Sequence, residues 1–220
     1  MNRREPFKVE KTDIEDLQER WERLARSYSS DRTLIIELFN QLKALYSSRG
    51  RFYHNLSHLR SLLDLCDSFR ERIQDYDAVC FAIWFHDAVY RTRRTDNEEK
   101  SADLAERSLN RLDVPTGTRE FVRMMIMATK DHRLDIDHED LKMFLDFDLS
   151  ILGSETEVYQ CYAKAIRSEY RWVPAPLYRQ GRRKVLESFI KKDSIYFTED
   201  LAQKYEERAR RNIEHELEFY

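Results

Sequence analysis

The chain has 220 residues, of which 4 are glycine and 4 are proline, and 36% are charged, against a norm of roughly 25%. β-Sandwiches and barrels need turn residues such as glycine or proline every roughly 8–12 residues, so this composition excludes a multi-stranded β protein. The hydrophobic fraction of 41% is too high for a disordered chain, and the net charge of −3 provides no basic surface for a nucleic acid polymer.

Apolar residues recur at helical spacing along almost the whole chain, as Leu17, Trp21 and Leu24 do near its start. Residues typical of helix N-caps precede these segments, namely Asp13, Asp31, Asn55, Asp75, Asp96, Thr116, Ser154 and Thr198. Ser154 and Glu157 also fit a capping box. Because the breaks are short and no flexible linker or repeat divides the chain, we expect an all-α bundle of about nine or ten helices in one compact domain, residues 1–220.

One segment, residues 78–85, is apolar on every side and predicts a helix at the centre of the domain. It falls far short of the roughly 18 residues that would suggest a membrane span. No apolar segment follows the basic residues near the N-terminus, so we expect no signal peptide, no membrane contact and a cytoplasmic location. Cys66, Cys80 and Cys161 lie in apolar contexts without metal-type spacing and are expected to be buried free thiols.

Side chains that could bind a metal interrupt the apolar pattern at three places. They are the pairs His54 and His58, His86 and Asp87, and Asp146 and Asp148. The first pair would share one face if its helix extended back to His54, and the last pair would be costly to bury without a compensating cation. Two imidazoles with two carboxylates suit Mn, Fe, Co, Ni, Zn or, less well, Mg. At this stage either Asp146 or Asp148 could complete the set.

These motifs resemble the HD-domain superfamily, whose members are mostly metal-dependent phosphohydrolases with an all-helical core. The similar segments are RFYHNLSHL, WFHDAVY followed by DNEEKSA, ATKDH, DFDLSILG and YRQGRRKVLESFI. They are most similar to a group of stand-alone predicted phosphohydrolases of this length, and the first also looks like the active-site segment of class I cyclic-nucleotide phosphodiesterases. The resemblance implies an HD-like metal-site core over about residues 51–153, with C-terminal helices, 154–220, packed on it.

The resemblance also implies a role for each matching residue. His54 would donate a proton to the leaving oxygen, whereas His58, His86 and Asp87 would bind the metal. The final aspartate of such proteins stands directly before a Leu-Ser or similar step. Asp148 matches that register, so it is favoured over the aspartate two positions earlier.

The implied reaction is hydrolysis of a phosphomonoester or phosphodiester of a small molecule, which we expect to be a nucleotide. Lys130 and His132 follow an apolar helix and are candidates to bind the phosphate. Asn97, Glu98 and Glu99, in the family-like DNEE segment, are candidates to fix the tautomers of the metal-binding histidines, and Asn97 and Glu98 are also candidates to bind the substrate. The alternative for the DNEE segment is an ordinary helix start with Asp96 as its cap.

The number of metal ions and the reaction have alternatives. The phosphodiesterases carry a further histidine where this chain has Ala88-Val89-Tyr90, so we expect one tightly bound divalent ion and an optional second. An HD-like module that binds a nucleotide or a protein partner without turnover is the main alternative to a hydrolase. A di-iron oxygenase is a weaker one, because it would need more histidines. The sequence leaves the oligomeric state open, a homodimer included.

Overall fold

The computed structural model describes residues 7–134 and 136–220, and within these ranges the chain is helical without a strand. Two short 3₁₀ segments, Arg70–Arg72 and Ser150–Gly153, follow helices. The ten α-helices are α1 (Lys11–Ala25), α2 (Arg32–Tyr46), α3 (Leu56–Ser68), α4 (Tyr76–Phe85), α5 (Asn97–Arg111), α6 (Thr116–Ala128), α7 (Glu139–Leu149), α8 (Thr156–Glu169), α9 (Ala175–Ile190) and α10 (Glu199–Leu217). The predicted all-α fold of nine or ten helices is confirmed.

Several helices begin where the sequence predicts. The side chains of Asp31, Asn55 and Asp75 accept backbone N–H bonds at the starts of α2, α3 and α4. Asp96 precedes α5, but its carboxylate accepts from the guanidinium of Arg94 rather than from the helix. The carboxylate of Asp96 therefore fixes the loop before α5 rather than the first turn of that helix.

Other predicted helix starts are wrong. Helix α1 is capped by Glu10, and Asp13 is the third residue of that helix, where its side chain accepts the N–H of Glu10. The predicted box of Ser154 and Glu157 does not form, because the backbone N–H of Ser154 closes the preceding 3₁₀ segment and Glu155 takes the cap position. Thr116 is the first residue of α6, one position after its cap.

Helix α4 lies at the centre of the bundle. All residues from Ala78 to Phe85 are buried, as predicted, and the helix packs against α3, α5, α6 and α7. The ring of Trp84 lies edge-on to that of Trp21, with 5.3 Å between their centroids. Buried apolar side chains from all ten α-helices belong to one contiguous core. The division into a metal-site core and C-terminal helices stays a prediction.

The cysteines are free in the described part of the chain. Cys66 and Cys80 are buried, as predicted, whereas Cys161 is only half-buried. None of the described helices is both long enough and apolar enough to cross a membrane.

Candidate metal centre

The ends of three neighbouring helices place one histidine or aspartate each at a common point. His58 is the third residue of α3, His86 directly follows the last residue of α4, and Asp148 is in the last turn of α7. These helices contact one another. Both histidines are only 2% exposed. The packing of α3, α4 and α7 therefore holds this group together.

The distances within the group fit ligands of one ion. The Nε2 atoms of His58 and His86 lie 3.3 Å apart, and Oδ1 of Asp148 lies 3.3 Å from the first and 3.7 Å from the second. Oδ2 of Asp87 lies 3.2 Å from Nε2 of His86 and 3.8 Å from Nε2 of His58. Two ligands at about 2.1 Å from an ion and about 90–110° apart are separated by about 3.0–3.4 Å, a range that the three shorter distances match and the two longer ones exceed by at most about 0.4 Å. The structure thus places His58, His86 and Asp148 where they could hold a metal ion.

The charges of the group also favour a cation. Burial raises the pKa of Asp87 and of Asp148, but the surrounding histidines outweigh burial and hold both values below the usual range. Burial lowers the pKa of His58, against the opposing effect of Asp148. For His86 the carboxylates outweigh burial and raise the pKa to about 9. Two ionised carboxylates thus face this small space, and a proton on His86 can compensate only part of their charge.

The ring of His86 is oriented so that its Nε2 atom could bind a metal ion. Its Nδ1–H donates to the backbone oxygen of Ile83 at 2.9 Å. This bond leaves Nε2 directed at the carboxylates of Asp87 and Asp148. A metal-binding imidazole needs such an outer hydrogen bond to fix its tautomer.

His54 lies beside the group, but it is not part of α3, the helix that carries His58. Asn55 caps α3, so the helix does not extend back to His54, and His54 lies in the preceding turn. Its Nε2 nevertheless lies 4.0 Å from Oδ2 of Asp87. The ring of Tyr90 stacks on it, with 4.1 Å between centroids and 29° between planes.

Glu169 holds His54 and was not predicted from the sequence. The Nδ1–H of His54 donates to Oε2 of Glu169 at 2.6 Å. The other carboxylate oxygen accepts the backbone N–H groups of Phe52, Tyr53 and His54 at 2.8, 2.8 and 3.0 Å. Burial lowers the pKa of His54, but Glu169 raises it above the usual value; in turn His54 outweighs burial and lowers the pKa of Glu169. Each group of this pair therefore favours the charged form of the other.

Arg51 is a second residue that sequence reasoning missed. One terminal nitrogen donates to the backbone oxygens of His54 and Asp87 at 2.9 and 2.7 Å, and the other donates to that of Ala88 at 2.9 Å. The guanidinium therefore connects the turn that carries His54 to the turn that carries Asp87. Its place in the similar segment RFYHNLSHL was the only sequence signal.

The two aspartates left open by the residue pattern have different surroundings. Asp146 is fully buried and accepts hydrogen bonds from the backbone N–H of Phe197 and from both the N–H and the hydroxyl of Thr198, at the start of α10. Burial raises the pKa of Asp146 to about 6. Asp148 instead contacts His58 and, through Oδ2, Nε2 of His132 at 3.0 Å. Asp146 is thus committed to anchoring α10.

The predicted substrate residues are distributed around the centre. His132 contacts Asp148 from a turn where its own φ is +45°, in the left-handed region. Lys130 is not in contact with the group, because its ammonium pairs with Glu99 at 2.6 Å. Asn97 closes the loop before α5 through two bonds with the backbone of Arg91.

Glu98 is the second residue of α5. It is half-buried. Burial raises its pKa, and the charge of Asp87 acts in the same direction. This carboxyl is therefore a neighbour of the group rather than a member of it.

Comparisons of the chain with models of protein families, with curated protein sequences and with solved structures found no match. Membership in the HD superfamily, which the motifs imply, stays a prediction. The capacity to bind a metal rests on the geometry of His58, His86 and Asp148.

Proposed function

We propose that the protein is a metal-dependent phosphohydrolase that cleaves a phosphate ester of a small molecule. The observation that carries this proposal is the close group of buried His58, buried His86 and half-buried Asp148, with Asp87 in contact with it and His54 at its edge. A metal site with an adjacent proton donor is the combination that hydrolysis of a phosphate ester needs.

His58, His86, Asp87 and Asp148 would hold the ion. Imidazole and carboxylate ligands together suit Mn, Fe, Co, Ni or Zn, with Mg as a poorer fit. A bound divalent ion supplies hydroxide near neutral pH and neutralises negative charge on the phosphoryl group. His132, in contact with the second oxygen of Asp148, is the residue that could serve an optional second ion.

His54 is the proton donor in this proposal. Its Nδ1–H is held by Glu169, so the proton available to a substrate is the one on Nε2, on the side of Asp87. Glu169 stabilises the protonated ring and raises the pKa of His54, so a larger fraction of the donor carries its proton near neutral pH. A positioned general acid of this kind typically contributes about 10²–10⁴-fold to the rate.

The test combines metal analysis with hydrolysis assays. Purified protein is loaded with Mn, Co, Ni or Mg and assayed on a panel of nucleotides and other phosphate esters. His58→Ala and Asp87→Ala should lose both the metal and the activity, whereas His54→Ala should keep the metal and lose the activity. His215→Ala, which changes an exposed histidine in the last turn of α10, is the matched control and should change neither.

Two results would contradict the proposal. Full activity of Asp87→Ala would show that the site is assigned wrongly. Binding of a nucleotide to the metal-loaded protein without turnover of any ester in the panel would favour the non-hydrolytic module instead.

A further inference from the structure

Two exposed aromatic rings lie beside the turn that carries His54. Phe52 is 40% exposed and Trp172 is 46% exposed. An arginine covers each ring, with the guanidinium carbon of Arg93 4.7 Å from the ring centre of Trp172 and that of Arg171 5.9 Å from Phe52. We call these four residues the aromatic-arginine patch.

Hydrogen bonds connect the patch to the candidate metal centre. The backbone N–H of Phe52 donates to the carboxylate of Glu169, which also binds His54. The indole N–H of Trp172 donates to the hydroxyl of Thr92 at 2.8 Å, and that hydroxyl lies 3.5 Å from the backbone oxygen of Glu169. Because Phe52 is two residues from His54, their Cα atoms are at most about 7.6 Å apart. The patch therefore borders the centre.

The composition of the patch differs from that of the core and from that of an ordinary charged surface. The other two tryptophans, Trp21 and Trp84, are buried, whereas Trp172 is not. Within the described residues neither Arg93 nor Arg171 forms an ion pair with a carboxylate, whereas the adjacent Arg94 pairs with Asp96 at 2.6 Å. Two cations without acidic partners are thus available to a ligand.

We propose that the aromatic-arginine patch binds the base of a nucleotide whose phosphate lies at the metal centre. The inference rests on the proposed phosphohydrolase function. It narrows the substrate class to mononucleotides, as opposed to oligonucleotides or phosphate esters without a base. A nucleobase stacks on an exposed aromatic ring or on the plane of an arginine guanidinium, and the patch offers both. The same guanidinium groups attract the negative phosphate, and the span between Phe52 and His54 is short enough for one nucleotide.

The first experiment measures binding of the base without any reaction at phosphate. Isothermal titration calorimetry of the metal-loaded protein compares adenosine, which has a base and no phosphate, with ribose. Adenosine should bind and ribose should not. Phe52→Ala and Trp172→Ala should each weaken adenosine binding about 5- to 150-fold, the range that loss of one base–aromatic stack gives.

Conservative and control variants separate stacking from damage to the fold. Trp172→Phe should keep most of the affinity because it keeps a ring. Phe219→Ala removes another exposed ring, 66% exposed and in contact with His215, and should have no effect. Circular dichroism verifies that each variant is folded. Adenosine binding that is unchanged in folded Phe52→Ala and Trp172→Ala would overturn the proposal.

The second experiment compares hydrolysis of adenosine monophosphate and ribose 5-phosphate. A higher kcat/KM for the nucleotide, lost in Trp172→Ala, supports the patch. Equal kcat/KM for both esters would overturn the patch and leave the phosphohydrolase intact, whereas adenosine binding without hydrolysis of any ester would overturn the phosphohydrolase and leave the patch. A short single-stranded oligonucleotide that binds more than about tenfold more tightly than adenosine monophosphate would overturn the assignment to a single nucleotide.

Discussion

Replacing Glu169 by glutamine removes one negative charge beside His54 and keeps the shape of the side chain. The amide oxygen can still accept the three backbone N–H groups of residues 52–54 that the carboxylate accepts now. The amide nitrogen, however, would face Nδ1 of His54 at the position of the present 2.6 Å bond. A donor there favours the neutral ring, so Glu169→Gln should lower the pKa of His54.

The size of the effect follows from the bond that is lost. A hydrogen bond to a charged group contributes about 1.5–3 kcal/mol. Since about 1.4 kcal/mol corresponds to a tenfold change in protonation, the protonated fraction of His54 should fall about 10- to 150-fold at pH values above both pKa values. The rate of a reaction that needs this proton should fall by the same factor at alkaline pH.

The same change has a defined effect on stability. The raised pKa of His54 means that the folded protein holds this proton more tightly than the unfolded chain does. That contribution is complete below the ordinary histidine pKa of about 6.5 and is lost as pH rises through the folded value. The lowered pKa of Glu169 adds a contribution that is lost as pH falls below about 4.3. Glu169→Gln should therefore reduce the free energy of unfolding most between about pH 4.3 and about pH 6.5.

Two measurements test this prediction. Nuclear magnetic resonance follows the titration of the His54 ring, and denaturant unfolding at mildly acidic and alkaline pH gives the stability difference. Glu157→Gln changes an exposed glutamate in the first turn of the same helix and serves as the control. If His54 titrates at the same pH in Glu169→Gln and in the wild type, the assigned role of Glu169 is refuted.

Three further predictions concern the centre and its support. Metal binding should displace the proton of His86, whose pKa is raised to about 9. The metal affinity should therefore rise about tenfold per pH unit from neutral pH to about 9. Calorimetry in buffers of different ionisation enthalpy measures the released proton, and a pH-independent affinity would contradict this prediction. Asp146→Ala should lower the free energy of unfolding by about 2 kcal/mol, because it removes the acceptor at the start of α10. This variant should keep the metal, whereas Asp148→Ala should lose it. Denaturant unfolding and metal analysis would show the reverse if the two aspartates had the opposite roles. Gly153→Ala should lower stability by about 1–3 kcal/mol, because the added Cβ would lie 2.5 Å from Cβ of Tyr205; an unchanged melting temperature would refute the close contact.

The helical fold was predictable because its causes are local. Few glycines and prolines, helical spacing of apolar residues and short-range caps such as Asp31 and Asp75 act within a few positions of one another. The failures were local as well. Ser154 has the chemistry of an N-cap, but the 3₁₀ segment before it already uses its backbone N–H, and no residue pattern announces that segment.

The centre was predictable only in part. His58, His86 and Asp148 interrupt apolar stretches, where burial of a polar side chain is costly without a compensating partner. The structure brings these three residues together. Glu169 gave no such signal, because it is one of 41 acidic residues and stands at a helix end. Its bonds reach residues 115 to 117 positions away, so only the packing of α8 against the turn before α3 makes it part of the site.

The position of the group at helix ends has a physical consequence. His86 follows the C-terminal end of α4, and Asp148 lies in the last turn of α7. A helix C-terminus carries a partial negative charge, so both helix ends add to the field of Asp87 and Asp148, while the start of α3 at His58 opposes it. A cation is the natural counter-charge at such a point. Under the proposed function the cation would also bind the substrate. A chain with only 4 glycines has too few of them for a typical glycine-rich phosphate loop, so the phosphate would be bound by a cation held between helices.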